Sequence, residues 1–171
     1  MRISFTSFVI AALILSSGAV ARELKIGYIH SQRILSEFQE SIDAQRTLDD
    51  EQKKWIEEAR QMEQEIAMLE DELENQSLLL SEEKKAERLQ EIQSKYMEYQ
   101  RFQQEIWGEM GRLYQRNKEL TQPILEKVNE VIREIGEAED YDIIFDAAVG
   151  NIVYAREDYD LTDTVLDDLN K

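Results

Sequence analysis

Two long stretches of this chain carry apolar residues at alternating steps of three and four. The first runs from Leu48 to Leu73 and the second from Leu89 to Leu120. Such spacing places apolar side chains along one seam of a helix, as in a coiled coil. Two matched seams on either side of one break predict an antiparallel helical hairpin over residues 42–120. At 1.5 Å per residue, arms of about 35 residues make a hairpin roughly 50 Å long.

The break between the two stretches contains three consecutive leucines, Leu78, Leu79 and Leu80, in a highly charged region. Ser81 follows them and is a good helix N-cap, so the tip of the hairpin is predicted near residues 75–81. One or two leucines could fold back and cap the seam. Consecutive helical residues point about 100° apart, so all three cannot do so. We expect at least one leucine to face solvent and to contact another protein chain.

Three residues of the returning helix are candidate hinges. Gly108 and Gly111 lie within the second heptad run, where each interior glycine costs about 1 kcal/mol relative to alanine. They mark either local slack where two helices approach closely or a flexible point that lets the arms splay. Pro123 predicts a kink in the helix or a restart close to it.

The two ends of the chain, residues 22–41 and 121–171, are predicted to form a small β body. Apolar and polar residues alternate over 24–29, which predicts a strand. Ser31 then offers an N-cap for a short helix. The fold class is therefore α+β, with a small body and a long helical arm.

The C-terminal end adds more predicted strand. Residues 141–147 and 152–156 are rich in β-branched and aromatic residues, and a turn at 149–151 would join them as a β-hairpin. Residues 160–169 predict a terminal helix. Three strands from one chain bury little apolar area, and small cores are marginally stable, so we expect the protein to oligomerise.

The first 21 residues have the organisation of a secretory signal peptide. A basic start at Met1-Arg2 precedes an apolar run over residues 3–15, and Ala19-Val20-Ala21 is a cleavage pattern. The run is shorter than the roughly 20 residues of a membrane span. We expect cleavage after Ala21, a mature chain outside the cytoplasm, and no integral membrane span. An uncleaved segment that tethers the protein to a membrane is the alternative.

Composition excludes several classes of function. The chain has 37 acidic and 20 basic residues, a net charge of −17, which argues against nucleic acid and anionic lipid as partners. It has no cysteine and one histidine, His30. It also lacks the spacing of a phosphate-binding loop or an EF-hand. We therefore expect no enzyme activity, no metal site and no cofactor.

The order of segments resembles the Skp/OmpH-type periplasmic chaperones. The segments are LKIGYIHSQRILSEF, a long charged hairpin, YDIIFDA, NIVYA and DLTDTVLDDL, and the resemblance covers about residues 24–169. It implies a periplasmic homotrimer whose strands build a central body and whose arms surround a cavity. It also implies a holdase that keeps unfolded outer-membrane β-barrel proteins soluble without ATP. The alternative is a trimeric coiled-coil scaffold or adaptor that binds one folded envelope protein.

Two sets of residues follow from these expectations. Carried over by position, the resemblance places five residues in or near the trimer body: Ile26, Tyr28, Ile144, Phe145 and Val153. The residues expected to bind the unfolded client are the three tip leucines and two aromatic residues along the arm: Leu78, Leu79, Leu80, Phe102 and Trp107. Better-known members have positive arm tips, whereas this tip is acidic. Client binding should therefore depend on apolar contact or on clients with basic segments.

Overall fold

A computed structural model of the protein describes residues 22–150 and 152–171. The signal peptide predicted for residues 1–21 lies outside the described residues, as does Asn151 of the predicted turn. Within residues 22–150 and 152–171, no helix contains a stretch long and apolar enough to cross a membrane.

The predicted helical hairpin is present. Helix α2 (Gln39–Gln76) runs unbroken to the tip, and α3 (Glu82–Trp107) returns along it. The heptad positions form a narrow buried seam between the two helices, made by Leu48, Trp55, Ala59 and Ile66 of α2 and by Ile92 and Ile106 of α3. Outside this seam the arm surface is mostly polar and charged, although Met68, Met97 and Leu89, the first residue of the second predicted run, are exposed. The narrow seam therefore provides most of the apolar packing of the arm.

The body is assembled from both chain ends. Strand β1 (Ile26–Ile29) leads into α1 (Ser31–Glu37), and the returning helix α4 (Arg112–Ala138) leads to β2 (Ile143–Asp146). The strands pair in parallel, with Ile26 opposite Ile143 and Ile29 opposite Asp146. A parallel pair needs a long crossover, which here is the whole arm.

One apolar core holds the body together. Helix α5 (Thr162–Leu169) closes it, and the β1 carbonyl of Tyr28 accepts a 2.8 Å hydrogen bond from the Leu161 N–H just before α5. The buried members of this core come from β1, α1, α4, α5 and the residues next to these helices: Ile29, Ile34, Phe38, Ile124, Val128, Ile135, Leu161, Val165, Leu166 and Leu169. Strand β2 contributes the partly buried Ile144. Because α4 contributes both to this core and to the arm base, it couples the two.

The predicted C-terminal β-hairpin is wrong. After β2 the chain enters a 3-10 turn at Ala147–Val149, and residues 152–156 form no strand in the described chain. Asp146 causes the turn, because its side chain accepts a 2.9 Å hydrogen bond from the Ala148 N–H. Gly150 then takes a left-handed φ of 74°, which glycine adopts without strain. The chain is thereby directed away from β2, whose strand partner is β1.

The prediction that Gly108 and Gly111 lie inside a helix is also wrong. Helix α3 ends at Trp107 and α4 begins at Arg112, with both glycines in extended conformations between them. By contrast α4 runs through Pro123 without interruption. The helix therefore restarts at the glycine pair and not at the proline. Whether any of the three acts as a hinge stays a prediction.

Candidate functional site

The tip of the arm exposes two large apolar side chains. Helix α2 ends at Gln76, whose carbonyl accepts hydrogen bonds from the Leu79 and Leu80 N–H groups at 2.8 and 3.1 Å. This tight turn leaves Leu78 97% and Leu79 87% exposed, whereas Leu80 is half-buried. Ser81 then starts α3, its hydroxyl accepting from the Lys84 N–H at 3.3 Å. The leucine triplet is therefore divided: two residues face solvent and the third is half-buried.

Carboxylates surround these leucines. The last 16 residues of α2, 61–76, contain six acidic residues and no basic one. The four cations on the facing part of α3 are each paired with a carboxylate: Lys84 with Glu87, Lys85 with Glu82, Arg88 with Glu91 and Lys95 with Glu65. A hydrogen bond from Lys84 lowers the pKa of Glu87, so that carboxylate stays ionised at neutral pH. These cations are therefore already neutralised by neighbouring carboxylates.

Five carboxylates near the tip have no such partner. Within the described residues, no Lys, Arg or His nitrogen lies within 4.0 Å of Glu70, Asp71, Glu72, Glu74 or Glu83. Over residues 70–88 there are seven acidic and three basic side chains, a net charge of −4. The exposed leucines are thus set in a strongly negative surface.

An aromatic pair lies farther down the arm, next to the helix break. Phe102 and Trp107 meet edge to face with ring centroids 6.0 Å apart, and both rings are partly buried. A groove of about 450 Å³ opens beside them, lined by Trp107, Leu48, Leu113 and Tyr114 among others. These two predicted client-binding residues lie away from the tip leucines, so the structure divides that predicted set into two surfaces.

The helix break beside this groove depends on close backbone approaches. A Cβ added to Gly108 would lie 2.3 Å from the Gln104 carbonyl oxygen, and one added to Gly111 would lie 2.5 Å from that of Ile106. Opposite the break, Trp55 of α2 is buried, and the Arg112 guanidinium lies 5.3 Å from its ring centroid. Only glycine fits these two positions without a backbone shift.

Polar contacts join the two sides of the hairpin along its length. Tyr96 Oη donates to Glu70 at 3.1 Å, and Tyr99 Oη donates to Glu63. These hydrogen bonds raise the pKa of both phenols, so each remains a donor. Near the base, Arg116 of α4 binds Glu51 of α2 through Nε and Nη2 at 3.0 to 3.1 Å. A partly exposed, two-point ion pair therefore joins α2 and α4 near the base of the arm.

The body carries the second candidate surface. Apolar side chains around the sheet form a face with a groove of about 680 Å³, lined by Ile26, Tyr28, Phe145, Val149, Ile152, Val153, Tyr154 and Tyr159 among others. Many of these side chains are strongly exposed, with Val153 at 98% and Tyr154 at 84%. In this chain they pack against little else.

Four of the five predicted trimer-body residues lie on this face, namely Ile26, Tyr28, Phe145 and Val153. Ile144 points the other way and packs against the core, because successive strand residues face opposite sides. Sequence reasoning missed Val149, Tyr154 and Tyr159. Val149 and Tyr159 lie in 3-10 turns, where no periodicity marks a face, and Tyr154 lies in the predicted strand 152–156, which does not form. Only their apolar character could have indicated them.

Comparison with known proteins identifies the family. The family model for outer membrane protein (OmpH-like) matches residues 25–169, which covers most of the chain. The chain belongs to the OmpH-like family. A solved structure of an OmpH-like outer membrane chaperone from Caulobacter crescentus shares the OmpH-like fold, with a TM-score of 0.77 at 14% identity. The alignment covers 86% of this chain and 85% of that one. The comparison with curated proteins gave no match.

These findings confirm the family predicted from the order of segments. They also confirm the OmpH-like arrangement of a long helical hairpin on a small sheet built from both chain ends. Within the described residues, the tip leucines Leu78 and Leu79 and much of the apolar face of the sheet are exposed.

Proposed function

We propose that this protein is a periplasmic holdase chaperone. As a homotrimer, it holds unfolded outer-membrane β-barrel proteins in a cavity between its arms, without ATP. The observation that carries the proposal is an OmpH-like arm whose tip exposes Leu78 and Leu79 far from any core of its own chain. Soluble proteins rarely expose large apolar residues together without a partner.

The apolar face of the body supports assembly. Strand β2 uses one edge for β1, and within residues 22–150 and 152–171 no strand pairs with its other edge. Open edges that carry apolar side chains join other chains unless they are protected. Residues 152–156 have the composition of a strand and lie unpaired beside this face. In the proposed trimer these residues pair with a second copy and cover the exposed Phe145 of that copy.

The experiment tests assembly and holding separately. Light scattering coupled to gel filtration measures the mass of the protein alone, and again after dilution of a urea-unfolded outer-membrane barrel into it. We expect the mass of three chains, and then a soluble complex with one barrel. A protein of any mass that leaves the barrel to aggregate would refute the holdase function. A trimer that instead binds one folded envelope protein would be the scaffold.

Two double variants serve as each other's controls. Phe145→Glu with Val153→Glu places charges on the apolar face of the body, so the trimer should dissociate. Leu78→Ser with Leu79→Ser should leave the mass and the melting temperature unchanged, because both side chains are already solvated. It should still allow more of the barrel to aggregate. If the leucine variant kept the barrel as soluble as the unchanged protein does, the tip leucines would not be the client-binding surface.

A further inference from the structure

The two exposed tip leucines lie in a surface of unpartnered carboxylates, and this combination selects among possible contacts. Leu78 and Leu79 offer apolar area with no sequence preference. Charges, in contrast, select partners, because a like charge next to them is repelled and an opposite one attracted. The charge at the tip, and not its leucines, therefore determines which protein segments bind there.

The balance of charge at the tip is one-sided. Each cation of α3 near the tip has a carboxylate partner, while Glu72, Glu74 and Glu83 have no cationic one within the described residues. An incoming lysine or arginine can pair with one of several carboxylates, and no existing ion pair has to break. An incoming aspartate or glutamate meets like charge and finds no available cation. Opposite charge at the rim of an apolar contact raises both association rate and selectivity.

We infer that the arm tip selects unfolded segments in which apolar residues are flanked by lysine or arginine, and disfavours segments flanked by aspartate or glutamate. This inference rests on the proposed holdase function and adds its choice of segment. Two leucines with high exposure provide the apolar contact, and the carboxylates of α2 and α3 bind the flanking cations. The occupant is an extended protein segment and not a lipid surface, because anionic headgroups would be repelled.

Two labelled peptides test this selection. They share an alternating leucine–serine centre, and one has lysines at both ends while the other has glutamates. Fluorescence anisotropy with the full protein gives both dissociation constants at low salt. Exposed charge pairs contribute a few tenths of a kcal/mol each, so three carboxylates should give the lysine peptide a roughly five- to ten-fold preference. At about 0.5 M salt, screening should remove most of this preference.

A matched pair of triple variants separates a local effect from net charge. The tip variant Glu72→Gln, Glu74→Gln and Glu83→Gln removes three charges near the leucines. The body variant Glu23→Gln, Glu134→Gln and Asp167→Asn removes three exposed charges from the other end of the molecule. Each variant changes the net charge from −17 to −14. We expect the tip variant to lose most of the preference and the body variant to retain it.

The outcomes distinguish the inference from the function on which it rests. Equal binding of both peptides, or an equal loss of preference in both triple variants, would overturn the selection. The barrel-holding assay on the same proteins then decides the holdase function independently. The double change Leu78→Ser and Leu79→Ser should weaken both peptides, and unchanged binding would place their site elsewhere. Binding to phosphatidylethanolamine vesicles that needs the leucines, with neither peptide bound, would assign the tip to lipid and also overturn the inference.

Discussion

The break between α3 and α4 should tolerate no side chain at Gly111. This glycine is buried, and an added Cβ would lie 2.5 Å from the Ile106 carbonyl oxygen and 2.8 Å from that of Glu105. Contacts below 3.0 Å essentially never occur for a real Cβ, and both oxygens belong to the last turn of α3. Relief therefore requires movement of the backbone and not merely of a flexible side chain.

The cost of Gly111→Ala follows from this movement. A shift of several tenths of an ångström would disturb the 2.9 Å hydrogen bond from the Gly111 N–H to the Gly108 carbonyl. Backbone strain and overpacking of this kind cost about 2–3 kcal/mol. The matched control is Gly136→Ala in α4, where the added Cβ would lie 3.5 Å from Ile144 Cδ1, an ordinary contact. Replacing a glycine within a helix should stabilise the protein by up to about 1 kcal/mol.

The assay is urea unfolding followed by circular dichroism at 222 nm. Equal chain concentrations are required, because stability of an oligomer depends on concentration. Gly111→Ala should lower the unfolding midpoint, and Gly136→Ala should leave it unchanged or raise it. A rise in both the midpoint and the helical signal of Gly111→Ala would contradict a steric clash at this position. That result would mean that α3 and α4 can merge into one helix, and that the break is only local slack.

Three further substitutions test the base of the arm and the body. Arg116→Lys should cost about 1 kcal/mol in urea unfolding at low salt and less at high salt, because lysine cannot form the two-point, partly exposed pair with Glu51. Ile34→Ala should cost about 2–5 kcal/mol, because its side chain is fully buried. Partial burial opposes ionisation of Asp146, yet hydrogen bonds from Ser31 and Ala148 hold its pKa below the usual value. The ionised Asp146 therefore stabilises the protein above about pH 4, and this stabilisation is lost as the pH falls through the lowered pKa. In urea unfolding, Asp146→Asn should lower the free energy of unfolding by about 1–2 kcal/mol at pH 7 and by progressively less in acid.

The hairpin could be predicted from sequence because its signal is local and repeated. Each seam position from Leu48 to Ile66 is set by neighbours three or four residues away, so the pattern needs no knowledge of the rest of the fold. The break could not be predicted in this way. Met110 fits the heptad spacing but is 64% exposed, because the chain leaves the helix at Gly108 and rejoins it at Gly111. A glycine inside a heptad run is compatible with a continuous helix and with a break. The packing of Trp55 next to the break is a tertiary contact, which the local pattern does not contain.

The position of the tip could be predicted from sequence, but the exposure of each leucine could not. The order of seam, leucines and Ser81 located the turn, and the N-cap at Ser81 is confirmed. The sequence did not specify which of the three leucines would be half-buried. That choice depends on the 3-10-like hydrogen bond from Leu79 to Gln76, which directs Leu78 and Leu79 outward and leaves Leu80 half-buried.

The segment at residues 152–156 is where the sequence pattern and the single-chain fold disagree. Its composition favours a strand, and a strand needs a hydrogen-bonding edge beside it. The 3-10 turn after Asp146 prevents it from folding back as a hairpin on its own β2. In the single chain this segment leaves Val153 and Tyr154 exposed, and the edge of a second chain would pair its backbone and cover both side chains. Within the described residues, the strand-like segment 152–156 and the second edge of β2 are both unpaired, and the single chain does not bring them together. The absence of the predicted hairpin is therefore consistent with the proposed trimer, in which the segment of one chain pairs with another chain.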